Sequence, residues 1–295
     1  MLDRISVSHE PTRRFVTAKL VFIRLGRIGW FAKGVIYVLA GILALSIVGQ
    51  SFGWSGADAN GNEANTSGAL NEVARSRGGP LLLILLAVGM FFYATWCLAT
   101  VVVPGRNVAA EWAKRFGALV SVITYVTLGT TAIALVSTRS AIVDGDTTIS
   151  DFTTRIMPSF AGRWIIGIIA TVVIAIGLYQ IVKGLKFQVT DDINMVGMSV
   201  LLARWTRRLE SVGEVGGGIA LGLIGFFLVR AALTFDPAEA TGLDGGLRRL
   251  AQQSWGVLIV VSVGLGLVAY GLFCIMTFTR RRLHTPVSTS EDTQK

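Results

Sequence analysis

The run WFAKGVIYVLAGILALSIVG, Trp30–Gly49, contains a single charge, Lys33. Twenty helical residues rise about 30 Å, the thickness of a bilayer's hydrocarbon core. Inside that core each backbone N–H and C=O must find a partner within its own segment, which selects a helix. The run does not alternate apolar and polar residues as a barrel strand does. Trp30–Gly49 is therefore expected to cross a membrane as a helix.

Five further runs have the same character: Pro80–Val103, Phe116–Ser137, Trp164–Val182, Val215–Leu233 and Trp255–Phe278. Of 295 residues, 52% are hydrophobic and 15% charged, with a mean hydropathy of +0.62. A soluble domain carries about a quarter charged residues. Trp30, Trp112, Trp164, Trp205 and Trp255 stand at or near run ends, where indole rings settle between headgroups and hydrocarbon. The expected fold is all-α, a six-span transmembrane bundle.

Lys and Arg set the orientation. They crowd the N-terminal region up to Lys33, the second loop (Arg106, Lys114, Arg115), the fourth (Lys183, Lys186, Arg204, Arg207, Arg208) and the C-terminal tail from Arg280. Arg75, Arg77, Arg139, Arg155, Arg163, Arg248 and Arg249 are left for the other side, and Arg230 lies inside the fifth run. Both termini are thus expected in the cytoplasm. The formal charge of +9 then describes one membrane face and not a nucleic-acid footprint. Residues 1–28 read as a basic leader with no signal peptide. Its stretch Arg13–Arg24 is either an amphipathic surface helix or a solvated segment. Residues 286–295 read as a disordered end.

The chain repeats itself. A shift of 88 brings Arg27, Gly29, Tyr37, Gly41 and Ala44 onto Arg115, Gly117, Tyr125, Gly129 and Ala132. Gly213, Gly218 and Gly225 stand opposite Gly29, Gly34 and Gly41. In the second halves, Gly79, Ala94, Trp96 and Cys97 match Gly162, Gly177, Tyr179 and Gln180, and these match Gly256, Gly271, Phe273 and Cys274. Units of two spans all insert the same way up, so the repeats are parallel, about an axis along the membrane normal. A pseudo-threefold bundle is the natural packing. The expected divisions are a leader 1–28, repeat one 29–104, repeat two 105–186, a cytoplasmic linker 187–212, repeat three 213–280 and a tail 281–295. Gly68–Ala74 and Gly245–Ala251 are expected to be short amphipathic segments on the outer interface of units one and three. Glycines recurring on spans one, three and five let backbones approach, with Gly213-x-x-x-Gly217 and Gly218-x-x-x-Gly222 the clearest cases.

The pattern Arg27-x-Gly29-x-x-Ala32-x-Gly34-x-x-Tyr37-x-x-x-Gly41-x-x-Ala44 carries a resemblance to a known family. So do Gly162-Arg163-Trp164 through Gly177-Leu178-Tyr179-Gln180, Arg230–Pro237, Gly242–Leu247 and Leu267–Phe273. Together they resemble the bacterial membrane family catalogued as domain of unknown function 1206, over about residues 24–282. Unit two departs from the pattern with Val122 opposite Gly34. The resemblance implies six spans in three repeats and a bacterial cytoplasmic membrane. It brings no catalytic residues.

Candidate ligand or clamp residues are few. Arg230 inside a span costs about 3 kcal/mol on insertion scales. It either snorkels to Asp236, Glu239 or Asp244 as a structural clamp or holds an anionic group. The acidic trio lacks an EF-hand spacing, and Arg248 and Arg249 are near enough to neutralise it, so no metal is expected. Lys33 and Lys183 read as residues that snorkel to phosphate. Cys97 and Cys274 form no disulfide framework. They are small packing residues or, with Gln180, line a shared centre. Tyr37, Tyr93, Tyr125 and Tyr270 either pack or bond across helices. His9 and His284 lie outside the runs, and no cofactor is expected. No HExxH, GxSxG or phosphate loop occurs, so no catalytic residue is assigned and no enzyme is expected. The expected role is structural, accessory, or partner- and lipid-binding. Its partners are the bilayer with anionic lipids at the inner face, a homo-oligomer or another membrane protein, and no nucleic acid. The alternative is a small-solute transporter or channel around Arg230.

Overall fold

The computed structural model describes residues 13–51, 66–76, 78–102, 108–138, 145–157, 159–186 and 198–280. Residues 1–12 of the leader, 187–197 of the linker and the tail 281–295 lie outside them. Among the described residues there are nine helices and no strand. The helices are α1 Arg13–Ser51, α2 Thr66–Arg75, α3 Gly79–Val102, α4 Val108–Thr138, α5 Gly145–Ile156, α6 Phe160–Leu185, α7 Val200–Thr234, α8 Leu243–Ala251 and α9 Gly256–Thr277. Six of them (α1, α3, α4, α6, α7 and α9) are long and apolar enough to cross a membrane. The chain is a multi-pass membrane protein with three two-helix units.

Two expectations change. Unit two also has a short helix in its loop, α5, so all three units share the device. Its sequence, GDTTISDFTTRI, lacks the glycine with a leucine two places on that Gly68–Ala74 and Gly245–Ala251 share. The stretch read as a linker is helical from Val200 and continuous with the fifth span, and Thr206, Glu210 and Ser211 are buried. Ser199 caps this helix, accepting from the Leu202 amide at 3.3 Å. The leader likewise runs as helix from Arg13 into the first span without interruption.

The short helices close one end of the bundle. α2 buries Ala69, Leu70 and Val73 against α1, α3 and α4. α8 buries Leu247 and Leu250 and packs on α1, α7 and α9, while α5 packs on α6 and α8. The other end, where α1 enters and α9 leaves, carries most of the Lys and Arg. These are the capped end and the basic end.

The spans form a ring built on one contact used repeatedly. The first helix of each unit packs on the second helix of the preceding unit: α1 on α9, α4 on α3, α7 on α6. At α1/α9 a Cβ added to Gly34 would stand 2.8 Å from the Gly271 oxygen, and one on Gly41 2.7 Å from the Gly264 oxygen. The matching positions on α7/α6 behave alike. A Cβ on Gly218 would stand 2.5 Å from the Gly177 oxygen, and one on Gly225 3.1 Å from the Ala170 oxygen. Without hydrophobic drive between helices in lipid, such backbone approach supplies the dispersion contact that holds them. Of the two GxxxG readings on α7, Gly218-x-x-x-Gly222 marks a close approach: a Cβ on Gly177 of α6 would stand 2.7 Å from the Gly218 oxygen and 3.0 Å from the Gly222 nitrogen. Gly213 and Gly217 do not act as a pair, because Gly213 faces α9 and Gly217 faces Gln180 of α6.

Among the described residues, the two spans of a unit pack closely in units one and three and not in unit two. In unit three a Cβ on Gly216 would lie 2.4 Å from the Gly266 Cα, and one on Gly213 2.7 Å from the Tyr270 Cβ. Unit one repeats this, with Gly89 against Ala32 and Gly29 against Tyr93, at 2.7 and 2.6 Å. The same register in unit two gives Val120 opposite Val172 and Gly117 opposite Ile176. Val120 is 47%, Val172 45% and Ile176 42% exposed, against 6% for Tyr93. A Cβ at Gly117 would meet nothing within 4 Å, and among the described residues α4 and α6 share no packing interface. The pseudo-threefold ring is therefore open at one seam, where branched side chains stand in place of the small pair.

Candidate functional site

Lys33 lies seven residues into the first span, about 10 Å along the helix from its basic end. Its ammonium does not reach outward to lipid phosphate. It sits 4.9 Å from the ring centroid of Trp30, 5.1 Å from Tyr270, 5.4 Å from Tyr93, and 5.6 Å from both Tyr37 and Tyr125. Those rings come from α1, α3, α4 and α9. The negative faces of the rings solvate the cation. Five contacts of roughly 0.5–1 kcal/mol each match the ~3 kcal/mol that a buried lysine costs.

The rings also hold one another. Tyr93 meets Tyr125 edge-on at 4.6 Å, Tyr37 meets Tyr270 at 5.1 Å, and Trp30 lies 5.9 Å from Tyr93. Trp30, expected at the interface, is buried; its indole N–H donates to the Thr277 hydroxyl at 3.1 Å, and Thr277 donates to the Phe273 carbonyl. Trp164, Trp205 and Trp255 remain exposed. The repeat explains the cage: Tyr37 and Tyr125 are one position in two units, and the register that pairs Ala94 with Gly271 also pairs Tyr93 with Tyr270.

The remaining two spans join this layer. Cys274 is buried beside Tyr37, Tyr125 and Tyr270, and Glu214 on α7 lies within electrostatic reach of Tyr270. Lys183 on α6 donates to Glu214 Oε1 at 2.7 Å. Ser211 bonds the Gly184 carbonyl, and Glu210, one turn before Glu214, is buried. Gln180 points its Oε1 at Gly217, leaving 3.3 Å to an added Cβ there. All six spans thus contribute to one layer toward the basic end. Lys33 and Lys183 were read singly from the sequence and Glu214 was not singled out. A signal for Lys33 was present: Trp30 and Tyr37 lie three residues before and four after it, the spacing that stacks side chains on one helix face.

The loop of unit three, at the capped end, is a separate site. Arg230 Nη2 donates to Glu239 Oε1 at 3.0 Å, and Arg249 Nη1 to Glu239 Oε2 at 2.8 Å. Arg249 also donates to the Ala238 carbonyl, and Arg248 Nε bonds Asp244 Oδ2 at 2.7 Å. Asp236 caps the 3-10 turn Pro237–Glu239 by accepting from the Ala238 amide at 2.9 Å. The three acids therefore face separate partners and do not converge. Among the described residues no group of three His, Cys, Asp or Glu is placed to hold a metal. Next to this loop, Arg163 donates to the Ala232 carbonyl near the end of α7 and stacks on Phe235 at 3.8 Å. The Glu239 pairs are solvent-accessible, so Glu239→Gln is expected to lower stability by no more than about 1 kcal/mol. A detergent unfolding midpoint checks this, and a larger loss would make the loop a principal support of the fold.

Three segments of the chain, 28–103, 116–186 and 212–277, match the profile of the family described as Domain of Unknown Function (DUF1206). The chain belongs to that family. The segments coincide with the three two-helix units, so in this DUF1206 chain the repeat of the family is the structural hairpin. The chain is also similar to "Uncharacterized protein YxxB" of Bacillus subtilis (strain 168), 28% identical over 256 residues, covering 86% of this chain and 89% of that one. No solved structure matches.

Proposed function

We propose that this DUF1206 protein is a non-enzymatic binding or accessory protein of the bacterial cytoplasmic membrane, with both termini inside. The observation that carries the reading is that the two lysines of its polar layer are already engaged: five rings surround Lys33, and Lys183 is held by Glu214. A layer whose lysines are already engaged suits a scaffold that works through its surfaces, which are basic at one end and apolar around the spans. Purification in mild detergent, with identification of the proteins and lipids that remain bound, tests it. Recovery of the bare chain alone would count against it.

A second reading keeps a small-solute path, moved from Arg230 to Lys33. Parallel repeats with residues from every span meeting in one layer favour it. Proteoliposomes loaded with a panel of small ions and metabolites decide between the two. The first reading expects no flux above empty vesicles; flux that falls in Lys33→Met would replace it with the second.

A further inference from the structure

We propose that the open seam between α4 and α6 is a binding site for one anionic phospholipid of the inner leaflet. The acyl chains lie between the two helices, and the phosphate sits at their basic end. This deepens the reading of the chain as a binding protein and rests on it.

The other two units show what the seam lacks. There, small residues bring the two spans into backbone contact, Ala32 with Gly89 and Gly216 with Gly266. In unit two, Val120 and Val172 hold these positions and both are exposed. A protein helix fits such a surface poorly, because close helix approach in lipid needs small residues. Polar glue is missing as well. Ser121 donates to the Gly117 carbonyl, Thr124 to Val120 and Thr171 to Gly167, at 2.9, 2.9 and 2.8 Å. Each hydroxyl is turned onto its own helix, leaving hydrocarbon to the cleft. Acyl chains, flexible and without polar groups, follow an uneven branched wall that a second helix cannot.

The charge at one mouth selects the headgroup. Exposed Lys186 follows the end of α6 at one mouth of the seam, and half-buried Arg115 stands at the start of the α4 span at that same end of the bundle. Exposed Tyr179 lies between the cleft and that end, at the level where tyrosine rings settle near headgroups. Each Lys or Arg near the surface contributes about 1 kcal/mol toward an anionic headgroup.

The test uses the full chain reconstituted in vesicles of phosphatidylethanolamine and phosphatidylglycerol, extracted in mild detergent. Retained lipid is then counted by native mass spectrometry. The parent is expected to keep one phosphatidylglycerol and to prefer it to phosphatidylethanolamine. Val120→Ala with Val172→Gly, which recreates the Ala32/Gly89 pair, is expected to close the seam and lose that lipid. Val172→Phe, at an exposed position that leaves the fold intact, is expected to displace it from one wall. Lys186→Gln is expected to lower the preference about fivefold, the equivalent of 1 kcal/mol. Retention that neither seam variant changes, or equal retention of the two lipids, would overturn the site. Those outcomes leave the absence of flux untouched, whereas flux through Lys33 would remove the scaffold reading whatever lipid is bound.

Discussion

Gly216→Val should prevent α7 and α9 from closing and leave little folded protein. The added Cβ alone would lie 2.4 Å from the Gly266 Cα; its place is fixed by the Gly216 backbone and it meets backbone, so no side chain can move aside. The helices must separate, forfeiting the Gly213/Tyr270 contact one turn away. Overpacking a tight core costs typically 1–3 kcal/mol; with two backbones forced apart, a loss above about 3 kcal/mol is expected. Against a total of roughly 5–15 kcal/mol, that is a large share. The repeat supplies its own controls. Gly213→Ala should also destabilise, because its Cβ meets Tyr270, whereas Gly117→Ala at the equivalent open position should be neutral or stabilise by up to about 1 kcal/mol through helix propensity. Unfolding midpoints in mixed micelles, followed by circular dichroism, measure all three. Equal midpoints for Gly213→Ala and Gly117→Ala would contradict the open seam.

Lys33→Glu is expected to be the most damaging single change in the polar layer. Five ring faces that attract an ammonium repel a carboxylate, so the variant loses the cation contacts and adds a buried charge without them. Lys33→Met keeps a long stem without the charge and should cost far less, since apolar replacements of buried charge are often tolerated. A double-mutant cycle isolates the ring contribution: Tyr93→Leu should cost about 1 kcal/mol more beside Lys33 than beside Met. Midpoints in the same micelles report it. If Lys33→Met proves as destructive as Lys33→Glu, charge on the rings is not what holds the layer.

Much of the architecture could be read from residue spacing. The six spans follow from run length, and the glycine register that related Gly29, Gly117 and Gly213 is the register in which the helices of units one and three touch, Gly117 alone meeting nothing. Even the broken seam was written in the sequence, as Val120 and Val172 where the other units have Ala32, Gly89, Gly216 and Gly266. It could not be recognised, because nothing linear says which faces of two helices meet. The polar layer was hidden for the same reason. Lys183 and Glu214 are 31 residues apart and belong to different units, so each looked like a charge near a helix end. Arg230 and Lys33 are both charges inside a span; the insertion cost of each is visible in the sequence, while the rings that offset it at Lys33 come from four helices and are not. α5 was missed because its apolar residues are few and its buried face is defined only by α6 and α8.

The ring joins its first span to its last. Trp30 donates to Thr277, 247 residues later in the chain, and Gly34 and Gly41 press against the last made of the six described spans. At roughly 5–20 residues per second, a ribosome needs about 12 to 50 seconds to travel that interval. During that time α1 rests in the membrane with its glycine face against lipid and Lys33 lacks the ring of Tyr270. The cage around Lys33 thus has four of its rings before Tyr270 arrives with α9, and the first span meets its glycine partner only then. A chain stopped short of α9 carries a cage open on one side and a glycine face still turned to lipid.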